Sequence, residues 1–365
     1  MKTYKKMLSV FLCIVLLVTM SAGCARQSSE KSKKNPKAHG EILLGLSFDS
    51  FVIERWVRDR DTFEANTKAL GAQVNVQNAN GDKELQVAQI KYLLKKGVDA
   101  LVVIAADCNY SKLTEILQEA KREGVVVISY DRLIAKAESD LYLSFDNKEV
   151  GTLMAQSLIH SNPEGGEIFE IGGSPADPNV KMVKEGFDQE IKKSKLKVVY
   201  TANCKQWFAE YARGYVEEAL KKYPDVKGIM CGNDDIASQV AKVLAENQLL
   251  GKVSLVGQDA DLVACQRIVE KTQTMTVYKP IEEIAKAAAY FAVRLVKHQD
   301  ITRDVDLDGD GKMDGYFTTQ KISDGKKEVP SFIIKPKAVN RKNIDSVIID
   351  SGFHAQEDVY LNVRK

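Results

Sequence analysis

Residues 228–280, GIMCGNDDIASQVAKVLAENQLLGKVSLVGQDADLVACQRIVEKTQTMTVYKP, decide the fold. Three short apolar runs, GIMCG, SLVGQ and TMTVY, alternate with amphipathic stretches at 235–249 and 261–271. The runs are continuously apolar, as strands are when helices cover both faces of a parallel sheet. Each run stops in hydrogen-bonding side chains: Asn233 and Asp234, then Asp259, then Lys279. In an open α/β sheet, ligands bind just outside the carboxyl ends of the strands. This stretch therefore predicts a doubly wound sheet and the edge at which its site lies.

Working outward, the same alternation fills the chain. EILLGLSF (41–48), QVNVQNA (73–79), ALVVIA (100–105), VVVISYD (125–131) and LYLSFDN (141–147) form an earlier strand series, with helical patterns at 52–70, 82–96 and 111–123. EIFEIGG (167–173) and KVVYTA (197–202) begin the second series, with helical patterns at 148–161, 180–194 and 209–222. Two successive βαβ series in 365 residues predict two similar doubly wound lobes, each a parallel sheet flanked by helices. The helix at 281–298 starts after Pro280 and keeps apolar residues three and four apart. SFIIKP (331–336) and SVIID (346–350) are expected as closing strands. The expected division puts 40–147 with 281–329 in the N-terminal lobe and 148–280 with 330–365 in the C-terminal lobe, joined by a hinge near 147, 279 and 330.

The first residues read as an export signal. Lys2, Lys5 and Lys6 precede an apolar run from Met7 to Met20, too short to span a bilayer. Ser21-Ala22-Gly23-Cys24 resembles the bacterial lipobox, with Ser21 where that pattern prefers Leu. The resemblance implies a signal peptide over 1–23 and a lipid-modified Cys24 that holds the protein on the outer side of the cell membrane. Residues 24–39 are polar and lysine-rich, a solvated tether. The net charge of +2, with lysines and aspartates interleaved, argues against a nucleic-acid surface. Cys108, Cys204, Cys231 and Cys265 are widely spaced and contain no C-x-x-C, so mostly free thiols are expected.

One segment breaks the α/β rhythm. In DVDLDGDGKMDGY (304–316), Asp306, Asp308, Asp310 and Asp314 alternate with small residues, which can turn several oxygens onto one hard cation. The spacing resembles calcium loops of the EF-hand and dockerin kind, although Phe317 stands where an EF-hand has its bidentate Glu. A structural calcium is expected there, and no cofactor for function. Evidence for catalysis is thin. The four histidines are scattered, and neither a nucleophile elbow nor a phosphate-binding glycine loop is present.

The strand-end groups suit a sugar. Hydroxyls donate and accept, so they need Arg, Lys and Asn beside Asp. The C–H faces of a pyranose want a flat aromatic wall, and the chain's two tryptophans, Trp56 and Trp207, fall beside these clusters.

Several motifs then carry a family resemblance. Ile53-Glu54-Arg55-Trp56 with Arg58-Asp59-Arg60-Asp61, Tyr130-Asp131-Arg132, Ser144-Phe145-Asp146-Asn147, Gly172-Gly173-Ser174-Pro175, Gly257 to Leu262 and Thr272 to Pro280 resemble bacterial D-xylose-binding proteins in order along the chain. The likeness covers about 41–298 and 329–354, with the acidic loop as an insertion. It implies the periplasmic binding protein type I fold. It also implies ligand contacts from Arg55, Asp131 and Arg132 on one lobe and from Asn179, Trp207, Asn233, Asp259 and Lys279 on the other lobe and hinge side. Trp56 and Trp207 would flank the ring, with Asp177 a looser candidate because Pro178 replaces a polar residue of the family pattern. Asp146 and Asp261 read as helix caps.

The implied function is capture of D-xylose or a related aldopyranose by hinge closure and delivery to an ABC permease. The same capture could instead be read by the extracellular domain of a sensor kinase. A glycosidase is the remote alternative, and a soluble transcription regulator conflicts with the export segment.

Overall fold

A computed structural model of the protein describes residues 40–302 and 320–363. Cys24 and the acidic loop with Asp306, Asp308, Asp310 and Asp314 lie outside the described residues.

The first lobe opens with β1 (Leu43–Phe48), α1 (Arg55–Ala69), β2 (Gln73–Asn78), α2 (Lys83–Lys96), β3 (Ala100–Val103), α3 (Ser111–Arg122), β4 (Val126–Tyr130) and β5 (Leu141–Phe145). Local chemistry sets the ends. Asp82 caps α2 by accepting from the Glu84 and Leu85 amides at 2.8 and 3.1 Å, and Gly97 ends it in the left-handed conformation at φ 79°. The second lobe runs through α4 (Asn147–Ser161), β6 (Gly166–Gly172), α5 (Pro178–Ile191), β7 (Leu196–Asn203), α6 (Tyr211–Lys222), β8 (Gly228–Cys231), α7 (Asp234–Glu246), β9 (Ser254–Gln258), α8 (Leu262–Val269) and β10 (Met275–Tyr278). The chain returns to the first lobe with α9 (Ile281–Val296), β11 (Lys321–Ser323) and β12 (Glu328–Ile334), and ends in the second with β13 (Lys337–Val339) and the short α10 (Gln356–Val359).

The two sheets have the orders β11-β12-β5-β4-β3-β1-β2 and β13-β10-β9-β8-β6-β7. All pairings are parallel except those of β11 and β13 at the edges. Within each lobe the first two strands reverse and the rest run in sequence. Both sheets therefore have a switch point, at β1/β3 and at β6/β8. The two-lobed, doubly wound architecture agrees with the alternation in the sequence. In the first lobe, Val87, Ile90, Leu93, Ile116 and Leu117 cover one sheet face, while Phe63, Ile284 and Phe291 from α1 and α9 cover the other. In the second, Met154, Leu158, Val183 and Phe187 cover one face and Val216, Val240 and Leu244 the other.

Two expectations fail. SVIID is not a strand: Asp345–Ile349 forms a wide helical turn that puts Ile344 and Ile348 into one apolar cluster with Phe353 and Val359. The helical spacing of those two isoleucines outweighs the β-branched run. The boundary at 330 also moves. β12 pairs with β5 as far as Ile334, so the third crossing falls between Ile334 and Lys337. A chain must finish its ladder before it can leave a sheet.

Candidate functional site

The strand ends of both sheets converge on one cavity, whose empty space is about 530 Å³ when its open mouth is counted. Arg55, Trp56, Asp131, Arg132, Asp177, Asn179, Trp207, Asp259 and Lys279 all line it.

On the first lobe, Arg55 sits in the first turn of α1 and is 4 % exposed. Its Nε and Nη2 each lie 3.1 Å from an oxygen of Asp59, and Nη1 donates to Asp131 Oδ1 at 3.2 Å. Its guanidinium stacks 4.4 Å from the Trp56 ring centre, a cation–π contact. Arg132 Nη1 donates to Asp49 Oδ2 at 2.6 Å and to the Ala105 carbonyl at 3.0 Å.

Two of the contacts that cross between the lobes lie in the cavity. Arg132 Nε lies 2.6 Å from Asp177 Oδ2, and Asn179 Nδ2 donates to the Asp131 carbonyl and Oδ2 at 3.0 and 3.1 Å. Both sets are buried, where a matched charge pair is screened least. Burial pushes the Asp177 carboxyl up, and Arg132 opposes that push.

On the second lobe, Asp259 Oδ1 is 2.6 Å from Lys279 Nζ, with both groups buried. Trp207 rests on the Gly172-Gly173 turn: a Cβ on Gly173 would come within 2.1 Å of the indole. Glycine is required there by close approach, not by dihedral freedom. Asp131, Trp207 and Asp259 have φ of 62°, 61° and 100°, conformations that non-glycine residues avoid. Such strain collects where the surrounding structure needs a side chain aimed in one direction, as at binding sites.

Four cations, Arg55, Arg132, Lys184 and Lys279, thus line the cavity with four carboxylates, Asp131, Glu170, Asp177 and Asp259. The balance suits a neutral molecule. Asn179, Gln258, Trp56 and Trp207 line the same cavity, and Asn179 Oδ1, Gln258 Oε1 and the two indole nitrogens are buried with no hydrogen-bond partner among the described residues. Buried polar atoms are rarely left so. Donors and acceptors of this kind between two aromatic walls match a ring carrying hydroxyls.

Asn233 does not line the cavity. Its Oδ1 caps α7 by accepting from the Ile236 amide at 3.0 Å, and its Nδ2 has no protein partner. Asp146 caps α4 through the Glu149 amide at 3.0 Å, whereas Asp261 occupies the cap position of α8 without a side-chain bond. Sequence reasoning missed Asn147, Gln258 and the Glu170–Lys184 pair, 2.6 Å apart, all of which line the cavity. A glutamate inside the apolar run EIFEIGG was the available signal.

Beside the site, Glu54 of the first lobe meets Asp235 and Asp261 of the second, their carboxylates within 4.8 Å of one another. Burial, then Asp259 and Glu54, push Asp235 up to about 6. A folded-state pKa above the unfolded one means that stability is lost as pH rises from about 4 through about 6. Asp235→Asn should therefore raise the melting temperature relative to the parent at about pH 7.5, with the gain vanishing near pH 4. Paired thermal melts across that range check it.

Comparison with known proteins fits this geometry. The profile of a family described as "Periplasmic binding protein domain" matches residues 44–300. The chain is 39 % identical over 350 residues to the D-xylose-binding periplasmic protein of Haemophilus influenzae, covering 94 % of this chain and 98 % of that one. It is 39 % identical over 331 residues to the protein of the same name from Escherichia coli K12, covering 89 % and 95 %. A solute-binding protein from Chloroflexus aurantiacus, solved in complex with D-glucose, has the same fold: TM-score 0.76, 24 % identity, covering 87 % of this chain and 98 % of that one.

Proposed function

The chain belongs to the periplasmic binding protein family, and we propose that it captures D-xylose between its lobes outside the cytoplasm and presents it to an ABC importer. The observation that carries the reading is the single cavity in which three balanced ion pairs meet two buried tryptophans across the lobes. The relatives named above support the choice of sugar, and they are named for binding, not for a reaction. The mechanism is hinge closure. Neither half-site surrounds a ring alone, so the sugar favours the apposed form by the extra bonds it makes there.

Calorimetry of residues 25–365 against D-xylose, glucose, ribose and arabinose tests it. Saturable heat is expected with xylose at micromolar affinity or better, about −8 kcal/mol. No heat with xylose alongside tight binding of ribose would overturn the assignment. The lipid anchor at Cys24, the docking partner and a calcium ion in the 304–316 loop belong to the same proposal and rest on sequence pattern. Radiolabelled fatty-acid incorporation, pull-down with permease and kinase domains, and melting with EGTA test them in turn.

A further inference from the structure

We propose that Asp59, held in place by Tyr130, is a positioning residue that aims the Arg55 guanidinium at one hydroxyl of the bound ring; this rests on the sugar-binding reading above. Neither Asp59 nor Tyr130 lines the cavity. They stand behind Arg55, at 1 % and 2 % exposure.

The geometry is specific. Arg55 and Asp59 are four residues apart on α1 and so share one face of the helix. Asp59 uses both oxygens, one on Nε and one on Nη2, which fixes the plane of the guanidinium and not merely its position. Tyr130 donates its hydroxyl to the same Oδ1 that receives Nη2. Tyr130 is the last residue of β4, and the next residue is Asp131, the second acidic partner of Arg55. One strand end therefore sets both the rear support of the guanidinium and its cavity-facing neighbour. The stack on Trp56 and the Phe145 ring at 5.3 Å close the remaining directions.

Remove the rear carboxylate and, among the described residues, Asp131 is the one acid still hydrogen-bonded to Arg55. The guanidinium would then turn to chelate Asp131 with two nitrogens. That turn withdraws donors of Arg55 and an acceptor of Asp131 from the ring at once. An ion pair that merely stabilised the lobe would, on removal, weaken every ligand by the same factor.

The test uses the full chain, D-xylose and its four monodeoxy analogues. Arg55→Lys first identifies the hydroxyl that Arg55 serves, as the position where removing the hydroxyl no longer costs affinity. Asp59→Asn should then weaken xylose about 30-fold while leaving the analogue that lacks this hydroxyl within about threefold of the parent. Tyr130→Phe keeps shape and removes one bond, so it should show the same pattern at about threefold to fivefold, and it serves should Asp59→Asn not fold. Equal loss for xylose and all four analogues in either variant overturns the proposal, as does xylose affinity unchanged in both. A parent that binds none of these sugars overturns the functional reading, and the proposal with it.

Discussion

Asp259→Asn is expected to weaken D-xylose binding by about 100-fold or more, equivalent to about 3 kcal/mol. Two losses combine. A charged acceptor for sugar hydroxyls becomes a neutral one, and hydrogen bonds to charged groups carry about 1.5–3 kcal/mol. Lys279 also loses its buried counter-charge, 2.6 Å away. Its ammonium is then left buried without that partner, which costs the site further. The backbone at Asp259 is held at φ 100°, which asparagine accepts more readily than most residues, so the fold survives the change. Titration calorimetry should show the affinity loss with native circular dichroism retained. Affinity within about threefold of the parent would remove Asp259 from the site.

Gly186→Ala should produce the largest loss of stability. Helices α4 and α5 approach so closely that a Cβ on Gly186 would lie 1.9 Å from the Lys148 carbonyl oxygen, and one on Gly151 1.8 Å from that of Val183. Both obstacles are backbone, which cannot rotate aside. The helices must separate and open the cluster of Met154, Leu158, Val183 and Phe187. Overpacking of this kind costs about 3 kcal/mol or more, which lowers the melting temperature by roughly 10 °C. Asn147 at the start of α4 and Lys184 on α5 both line the cavity, so sugar affinity should fall with it. A melting temperature within about 2 °C of the parent would show that the helices re-seat freely.

The fold was legible because its cues are local. Continuous apolar runs separated by helical periods give a parallel sheet without knowledge of any contact. The short edge strands β11 and β13 were not legible, since three residues carry no period. The site was half legible. Polar groups at strand ends, such as Asp131, Asp259 and Lys279, declare themselves by interrupting an apolar run. Asp59 does not: within RWVRDRD it looks like one more solvated charge, and only the placement of α1 against the end of β4 brings it onto Tyr130 and out of water. Asn233 leaves both readings open: its Oδ1 caps α7, while its buried Nδ2 has no hydrogen-bond partner among the described residues.

The bonds from Arg132 to Asp177 and from Asn179 to Asp131 consist wholly of protein atoms. They act whether or not a sugar is present. They therefore help to set how often the lobes lie together before any ligand binds. A ligand's own bonds add to that starting population, which these contacts share in setting with others such as the bond from Arg58 to the Phe353 carbonyl. Substitutions at them shift that starting population and the ligand contacts together, because the same residues line the cavity.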